Sequence, residues 1–295
     1  MKTFLWKIGL LSLIVIFADR AIGYGLNYIT SNIRVGGQGR DNYIANGAKE
    51  KILVFGSSRA VHHYNSQMIE ELMGKSCYNC GDDGSGIILS YGRLLMVKER
   101  YQPTIIIQDV YPEFDLMKND NHKYIGWLKV HYNRECIHPI FEDVDRTEKY
   151  KMMSHLYRFN SRFLQNVITY ITGIANDDGI KGFRPLEGNI DKMKLKIDNK
   201  KGLGSFDSLK LDYVNKFIDL AEGAKLYFVV SPIWYGMDSL QIKPLYEICK
   251  KRGIPLIDYS NREKYVHHNE WFKDGTHLNA HGADEFTRDL INEIL

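Results

Sequence analysis

Two short stretches of this 295-residue chain place side chains that could carry out nucleophilic chemistry. Gly56-Ser57-Ser58-Arg59 follows directly on the apolar run Lys51-Ile-Leu-Val-Phe55, and Trp271-Phe-Lys-Asp274-Gly-Thr-His277-Leu-Asn279 stands just before the final helical stretch. In open α/β sheets ligands bind beyond the carboxyl ends of strands. A serine there has an exposed hydroxyl and a backbone N–H free for a developing oxyanion. An Asp and a His separated by two residues can fold so that the carboxylate orients the imidazole while its other nitrogen points away. Each stretch alone has a plainer explanation. The first is also a turn before a helix, and the second is also a capped turn in which Asp274 or Asn279 satisfies helix N–H groups. Together they point to a strand-end serine, Ser57 or Ser58, as nucleophile, with His277 as base and Asp274 as its orienting carboxylate.

The elements that would position these residues read as alternating strands and helices. Lys51–Phe55 and Thr104–Val110 are continuous apolar runs of the kind buried parallel strands show, and Ser76–Asn79 is a shorter candidate. Helical spacing is expected over Ser66–Gly74 and Ile87–Tyr101. Helix Leu209–Ala221 leads into strand Leu226–Val230. Leu240–Arg252 with Pro255–Ile257 repeats the unit, and helix Ala280–Leu295 closes the chain. This alternation predicts a three-layer α/β sandwich with a mostly parallel sheet. From about residue 114 to 206 the pattern breaks into a Tyr-, Asn-, Lys- and Met-rich segment with helical pieces such as Leu156–Gly173. It reads as a largely helical insertion capping the site, with a separate second domain as the alternative.

The N-terminus is expected to be a membrane segment. Lys2 and Lys7 flank the start of an apolar stretch from Phe4 to Ala18, shorter than the roughly 20 residues that cross a bilayer core. Asp19 and Arg20 interrupt it, and a mildly apolar helical pattern resumes to Tyr28. Positive residues ahead of the run predict the N-terminus inside and the rest translocated. Residues 1–28 are read as a retained signal anchor, 29–49 as a polar linker, and 50–295 as one domain outside the cytoplasm. Cleavage after Ala21-Ile22-Gly23 and a buried helix are the alternatives.

A formal net charge of +3, with basic and acidic residues interleaved, gives no argument for nucleic acid. Cys77 and Cys80 fall at the end of a short strand, not at the helix start a redox pair needs, and no second pair completes a zinc site. His62, His63, His267 and His268 are read as turn and loop residues. Trp234 and Tyr235 are candidates for the pocket mouth.

On these motifs the chain resembles the SGNH (GDSL-like) hydrolase superfamily, over about residues 50–110 and 207–295. Gly56-Ser57-Ser58 is similar to the Gly-Asp-Ser block with Ser in place of Asp, which carries the nucleophile onto Ser58. Asn79-Cys-Gly-Asp-Asp-Gly84 resembles the second block and carries an oxyanion-hole glycine onto Gly84; the Ser58 N–H would be the companion donor. Asp274 and His277 match the closing block. The third block should supply an oxyanion Asn, yet the corresponding stretch reads Gln108-Asp109-Val110-Tyr111-Pro112-Glu113. Losing one such donor costs on the order of 100- to 1,000-fold in rate. Arg59 and Tyr111 are the candidates to replace it. The variant first block, the N-terminal segment and the missing Asn resemble the membrane-anchored branch that includes the teichoic-acid D-alanyl transfer protein and polysaccharide O-acetylation proteins. That resemblance implies ester chemistry on O-acyl groups of a cell-envelope glycan or an acyl carrier, beside a membrane-bound O-acyltransferase, with no metal or cofactor. A catalytically weak partner of such an enzyme, or a glycan-binding module, is the other reading.

Overall fold

The computed structural model describes residues 1–160, 162–175, 179–190 and 204–295. It contains five strands, β1 (Ile52–Phe55), β2 (Cys77–Asn79), β3 (Ile105–Asp109), β4 (Lys225–Val230) and β5 (Leu256–Asp258). They form one parallel sheet in the order β2-β1-β3-β4-β5. The register sets Leu53 against both Tyr78 and Ile106, Ile106 against Leu226, and Val229 against Ile257. Chain order runs outward from β1 to β2 and then returns to the other side of β1 for β3. The crevice beyond β1 and β3 is therefore the topological switch point, where α/β sheets bind ligands.

The helices are α1 (Lys2–Ser31), α2 (Gly36–Asn46), α3 (Ser58–His63), α4 (Ser66–Met73), α5 (Ile87–Lys98) and α6 (Pro112–Asp115). They continue with α7 (His138–Val144), α8 (Glu148–Lys151), α9 (His155–Arg158), α10 (Phe163–Thr172), α11 (Ser208–Leu220), α12 (Lys243–Arg252) and α13 (Ala280–Ile294). Against one face of the sheet, α13 and α4 bring Phe286, Leu290, Ile291 and Ile69 onto Ile52, Val54, Ile107 and Val229. On the other face α11 packs beside α5, with the Phe217 ring 5.8 Å from Phe55 and 6.3 Å from Phe228. Both faces are covered, so the strands read as unbroken apolar runs. Each fully buried Phe, Leu or Ile on α13 contributes roughly 1.5–3 kcal/mol, which anchors the turn just ahead of that helix.

The chain divides into two compact units, Ile44–Tyr124 with Asp177–Leu295, and Met1–Tyr43 with Ile125–Asn176. The first holds the sheet. In the second, α1 packs against α9 and α10. The 114–206 stretch expected as one insertion is thus shared between the two units, and residues 161, 176–178 and 191–203 of it lie outside the described residues. The helical piece expected over 156–173 is two helices, α9 and α10.

Two expectations for the N-terminus are corrected. The first is the membrane helix. α1 is 30 residues long, but no helix among the described residues is long and apolar enough to cross a membrane. The charges that interrupt the apolar run serve packing within their own unit. Asp19 accepts hydrogen bonds from Ser154 Oγ (2.6 Å), His155 N (2.9 Å) and Leu156 N (3.1 Å), and Arg20 donates to Met153 O (2.6 Å). Burial raises the Asp19 carboxyl, but these hydrogen bonds prevail and hold it below its usual range. At Gly23 a Cβ would run into His155 Cβ, so the absent side chain is what lets α1 and α9 approach. The second correction concerns the linker, where residues 36–46 form α2. Asn42 donates to Thr30 O (2.7 Å) and Ile33 O (3.0 Å), and His131 Nε2 lies 2.7 Å from Asp41 Oδ2.

Candidate active site

β1 ends at Phe55, and Gly56 turns the chain with φ +143°, a conformation open chiefly to glycine. A Cβ there would press on Asp109 O at 2.8 Å, at the end of the neighbouring strand β3. Ser57 is the N-cap of α3 and Ser58 its first residue, half-buried at the sheet's carboxyl edge. Ser58 Oγ lies 2.8 Å from His277 Nε2. On the far side of the ring, His277 Nδ1 lies 2.9 Å from Asp274 Oδ2 and 3.1 Å from Oδ1. The three residues proposed from sequence, 219 positions apart at the extremes, are therefore brought together in the order serine, histidine, aspartate.

The Asp274–His277 turn is fixed by its own carboxylate. Asp274 Oδ1 accepts from Thr276 N (2.8 Å), His277 N (2.9 Å) and Thr276 Oγ1 (3.1 Å). Burial pushes this carboxyl up, but the hydrogen bond and charge of His277, together with those backbone N–H groups, outweigh it and hold Asp274 well below the usual carboxylate range. An ionised Asp274 keeps the proton of His277 on Nδ1 and leaves Nε2 as an acceptor toward Ser58. Lys273 N closes the turn on His277 O (2.9 Å), Phe272 bridges Leu278, and Asn279 caps α13 by accepting from Gly282 N (2.9 Å). Asn279 is thus the helix cap, while Asp274 serves the histidine.

The remaining sequence candidates have different surroundings. Gly84 stands in an exposed turn between β2 and α5 with φ +68°, and nothing would crowd a Cβ there. Arg59 is corrected as a donor to substrate, because its side chain is only 1% exposed. Its Nε and Nη2 donate to Ser231 Oγ (3.0 and 2.8 Å), Nη2 also to Ser231 O, and Nη1 is covered. Tyr111 lies under that guanidinium at 5.2 Å, its backbone N–H donates to Asp115 Oδ2 (2.7 Å), and burial raises its phenol. Trp234 is corrected from the pocket mouth to packing. It is buried, its indole donates to Asn269 Oδ1 (3.1 Å), and its N–H holds Gly275 O (3.1 Å) between Asp274 and His277.

The histidines read as turn residues prove closer to the chemistry than expected. His62 lies one helical turn beyond Ser58, and its ring meets His277 edge-on at 5.7 Å. His62 Nδ1 faces Arg184 O (2.6 Å) and Nε2 faces Asp83 Oδ1 (3.2 Å). Arg184 also pairs with Asp83. Burial raises Asp83, but the His62 hydrogen bond and the Arg184 charge hold it well below its usual range. Asp83 precedes Gly84, so this cluster ties the nucleophile helix to the proposed oxyanion turn. The i, i+4 spacing of Ser58 and His62 was the available sequence signal. Arg184 could not be assigned from sequence, since it lies 101 residues from Asp83 in a stretch without pattern.

No protein-family description matches the sequence, and no curated protein matches it. Among solved structures, the fold is similar to a Streptococcus pneumonia protein provisionally described as a platelet activating factor, with 10% identity and a TM-score of 0.39 over 98% of each chain. A protein provisionally described as an acylhydrolase of Bacteroides fragilis gives 13% identity and a TM-score of 0.39, over 90% of this chain and 97% of that one. An acetyl xylan esterase from the rumen bacterium Butyrivibrio proteoclasticus gives 7% identity and a TM-score of 0.35, over 83% of this chain and 63% of that one. Likenesses at these levels assign no activity.

Proposed function

We propose that this chain is a serine hydrolase or acyltransferase acting on acyl esters. The observation that carries the reading is the unbroken sequence of contacts Ser58 Oγ–His277 Nε2–His277 Nδ1–Asp274, at 2.8 and 2.9 Å, at the switch point of a parallel sheet. Ser58 Oγ attacks the ester carbonyl carbon as its proton passes to His277 Nε2. The oxyanion is held by the backbone N–H groups of Ser58 and Gly84. Collapse breaks the ester C–O bond, and the proton on Nε2 goes to the leaving alcohol. Water, or an acceptor hydroxyl in a transferase, then repeats the sequence against the acyl-Ser58 ester. None of these steps calls for a metal or organic cofactor.

The sequence resemblance supports O-acyl groups on a cell-envelope glycan as the substrate class. An enzyme of that kind should release the acyl group from an acetylated polysaccharide at a higher kcat/KM than from a small aryl ester. The test of the reaction itself is turnover of an activated acyl ester by the full chain and by Ser58→Ala. Loss of turnover with unchanged circular dichroism is expected, and equal turnover would refute the assignment.

One observation favours a second reading, a weak or non-catalytic partner of a membrane-bound O-acyltransferase. At the β3 end, where a third oxyanion donor should stand, Val110 N donates to Val229 O (2.8 Å), Tyr111 N to Asp115, and Arg59 is covered. Under that reading Ser58→Ala has no effect on the partner's activity.

A further inference from the structure

His63 is fully buried on α3, five residues after the nucleophile, and is absent from the chemistry described above. Its two ring nitrogens face two different parts of the site. Nε2 accepts the backbone N–H of Leu278 at 3.0 Å, and Nδ1 lies 2.9 Å from Ser231 Oγ. An amide N–H can only donate, so Nε2 carries no proton. A neutral ring then has its proton on Nδ1, where it donates to Ser231 Oγ. Leu278 is the residue after His277. Ser231 follows β4 and is held in turn by Arg59 and, through its N–H, by Asp109 Oδ1 at 3.2 Å. Thr287 Oγ1 on α13 donates to the His63 carbonyl at 3.2 Å, so the His63 side chain joins α3 to the His277 segment while its backbone joins α3 to the helix that follows that segment.

We infer that His63 is a positioning residue: a neutral, Nδ1-protonated imidazole that bolts the helix carrying Ser58 to the backbone carrying His277 and so sets the Ser58–His277 distance. The inference rests on the triad reading for its kinetic consequence, though not for its structural one. Protonation of His63 would replace the acceptor at Nε2 with a second donor facing the Leu278 N–H and break the bolt. The surroundings oppose it. Burial first, then the charge of Arg59 and the neighbouring His277 and His62, push the His63 imidazole well below its ordinary range. The ring edges of His277 and Phe286 close the remaining sides at 6.3 Å.

The test has two arms on the full-length protein. In the first, nitrogen-15 spectra of labelled histidines assign the His63 tautomer between pH 5.5 and 8. A neutral Nδ1–H form throughout is expected; an Nε2–H tautomer or a titrating ring would overturn the inference whether or not the protein is an enzyme. In the second, the rate of Ser58 modification by a fluorophosphonate is compared among wild type, His63→Leu and His63→Gln. Misplacing a reacting group by about 1 Å costs about 100-fold, so His63→Leu should slow modification by up to about that factor with little change in probe binding. His63→Gln, whose carbonyl can still accept the Leu278 N–H, should recover most of the rate. Equal rates in all three proteins would overturn the inference while leaving the triad intact. A wild type that is never modified would instead count against the triad, and the tautomer would then decide on His63 alone.

Discussion

Replacing Asp274 by Asn isolates the part of the site whose geometry is most fully defined. The Asn carbonyl would keep the role of Oδ1, accepting from Thr276 N and His277 N at 2.8 and 2.9 Å, so the turn should survive. Its amide would replace Oδ2, 2.9 Å from His277 Nδ1. An amide donor there favours the lone pair on Nδ1 and the proton on Nε2, the tautomer unable to accept from Ser58. Where a triad carboxylate is fully buried, that change costs roughly 10⁴-fold. Here the Asp274 side chain is 50% exposed, so water can partly compensate. We therefore expect a loss of about 10²- to 10³-fold in kcat, or about 3–4 kcal/mol in the barrier at ~1.4 kcal/mol per decade. The assay is pre-steady-state and steady-state hydrolysis of an activated acyl ester at pH 7.5, with KM followed separately. A loss below tenfold in a folded variant, or a loss wholly in KM, would refute the role given to Asp274.

Three further outcomes follow from local geometry. Asn279→Ala removes the acceptor for Gly282 N and the donor to Gly188 O and Glu270 O; it should cost about 1–2 kcal/mol and lower the melting temperature by a few degrees in calorimetry. Gly282→Ala places a Cβ against the Trp271 carbonyl, a backbone atom, and should destabilise α13 strongly enough to abolish ester turnover, whereas Ala283→Gly leaves activity measurable. Asp115, buried beneath Tyr111 N, has its carboxyl pushed up to about 7 chiefly by burial. Because the folded value lies above the unfolded one, its contribution is complete below about pH 4 and is lost as the pH rises toward 7. Asp115→Asn should flatten that decline in denaturation midpoints measured from pH 4 to 8; an unchanged slope would contradict the assignment.

The sheet and the clustering of a strand-end serine with Asp274 and His277 were legible because both are encoded locally. β1, β3 and β4 are short, β-branched apolar runs ended by turn residues, and the observed strands differ from the expected ones by about one residue at an end. A strand-end serine was indicated by its position after β1, the resemblance of Gly56-Ser57-Ser58 to a family block singled out Ser58, and Asp274 with His277 stood out by a spacing that one turn can satisfy. α1 misled because an apolar run after lysines reads as a membrane segment, whereas the charges that end it, Asp19 and Arg20, pair with residues 153–156, more than 130 positions away, which composition does not record. α2 was missed because Gly36, Gly37 and Gly39 have poor helix propensity. They are there for close approach, since a Cβ at Gly39 would meet the Arg34 backbone. The roles of His63, Ser231 and Asp83 depend on partners more than 160 residues apart or in a patternless loop, which no periodicity records.

Activation of Ser58 is tested most directly by stoichiometric reaction of the full chain with a fluorophosphonate, read by intact mass and peptide mapping. One phosphonyl group per chain, on Ser58, is expected, and none in His277→Ala under the same conditions. A folded wild type that stays unlabelled, or a label on another residue, would contradict it.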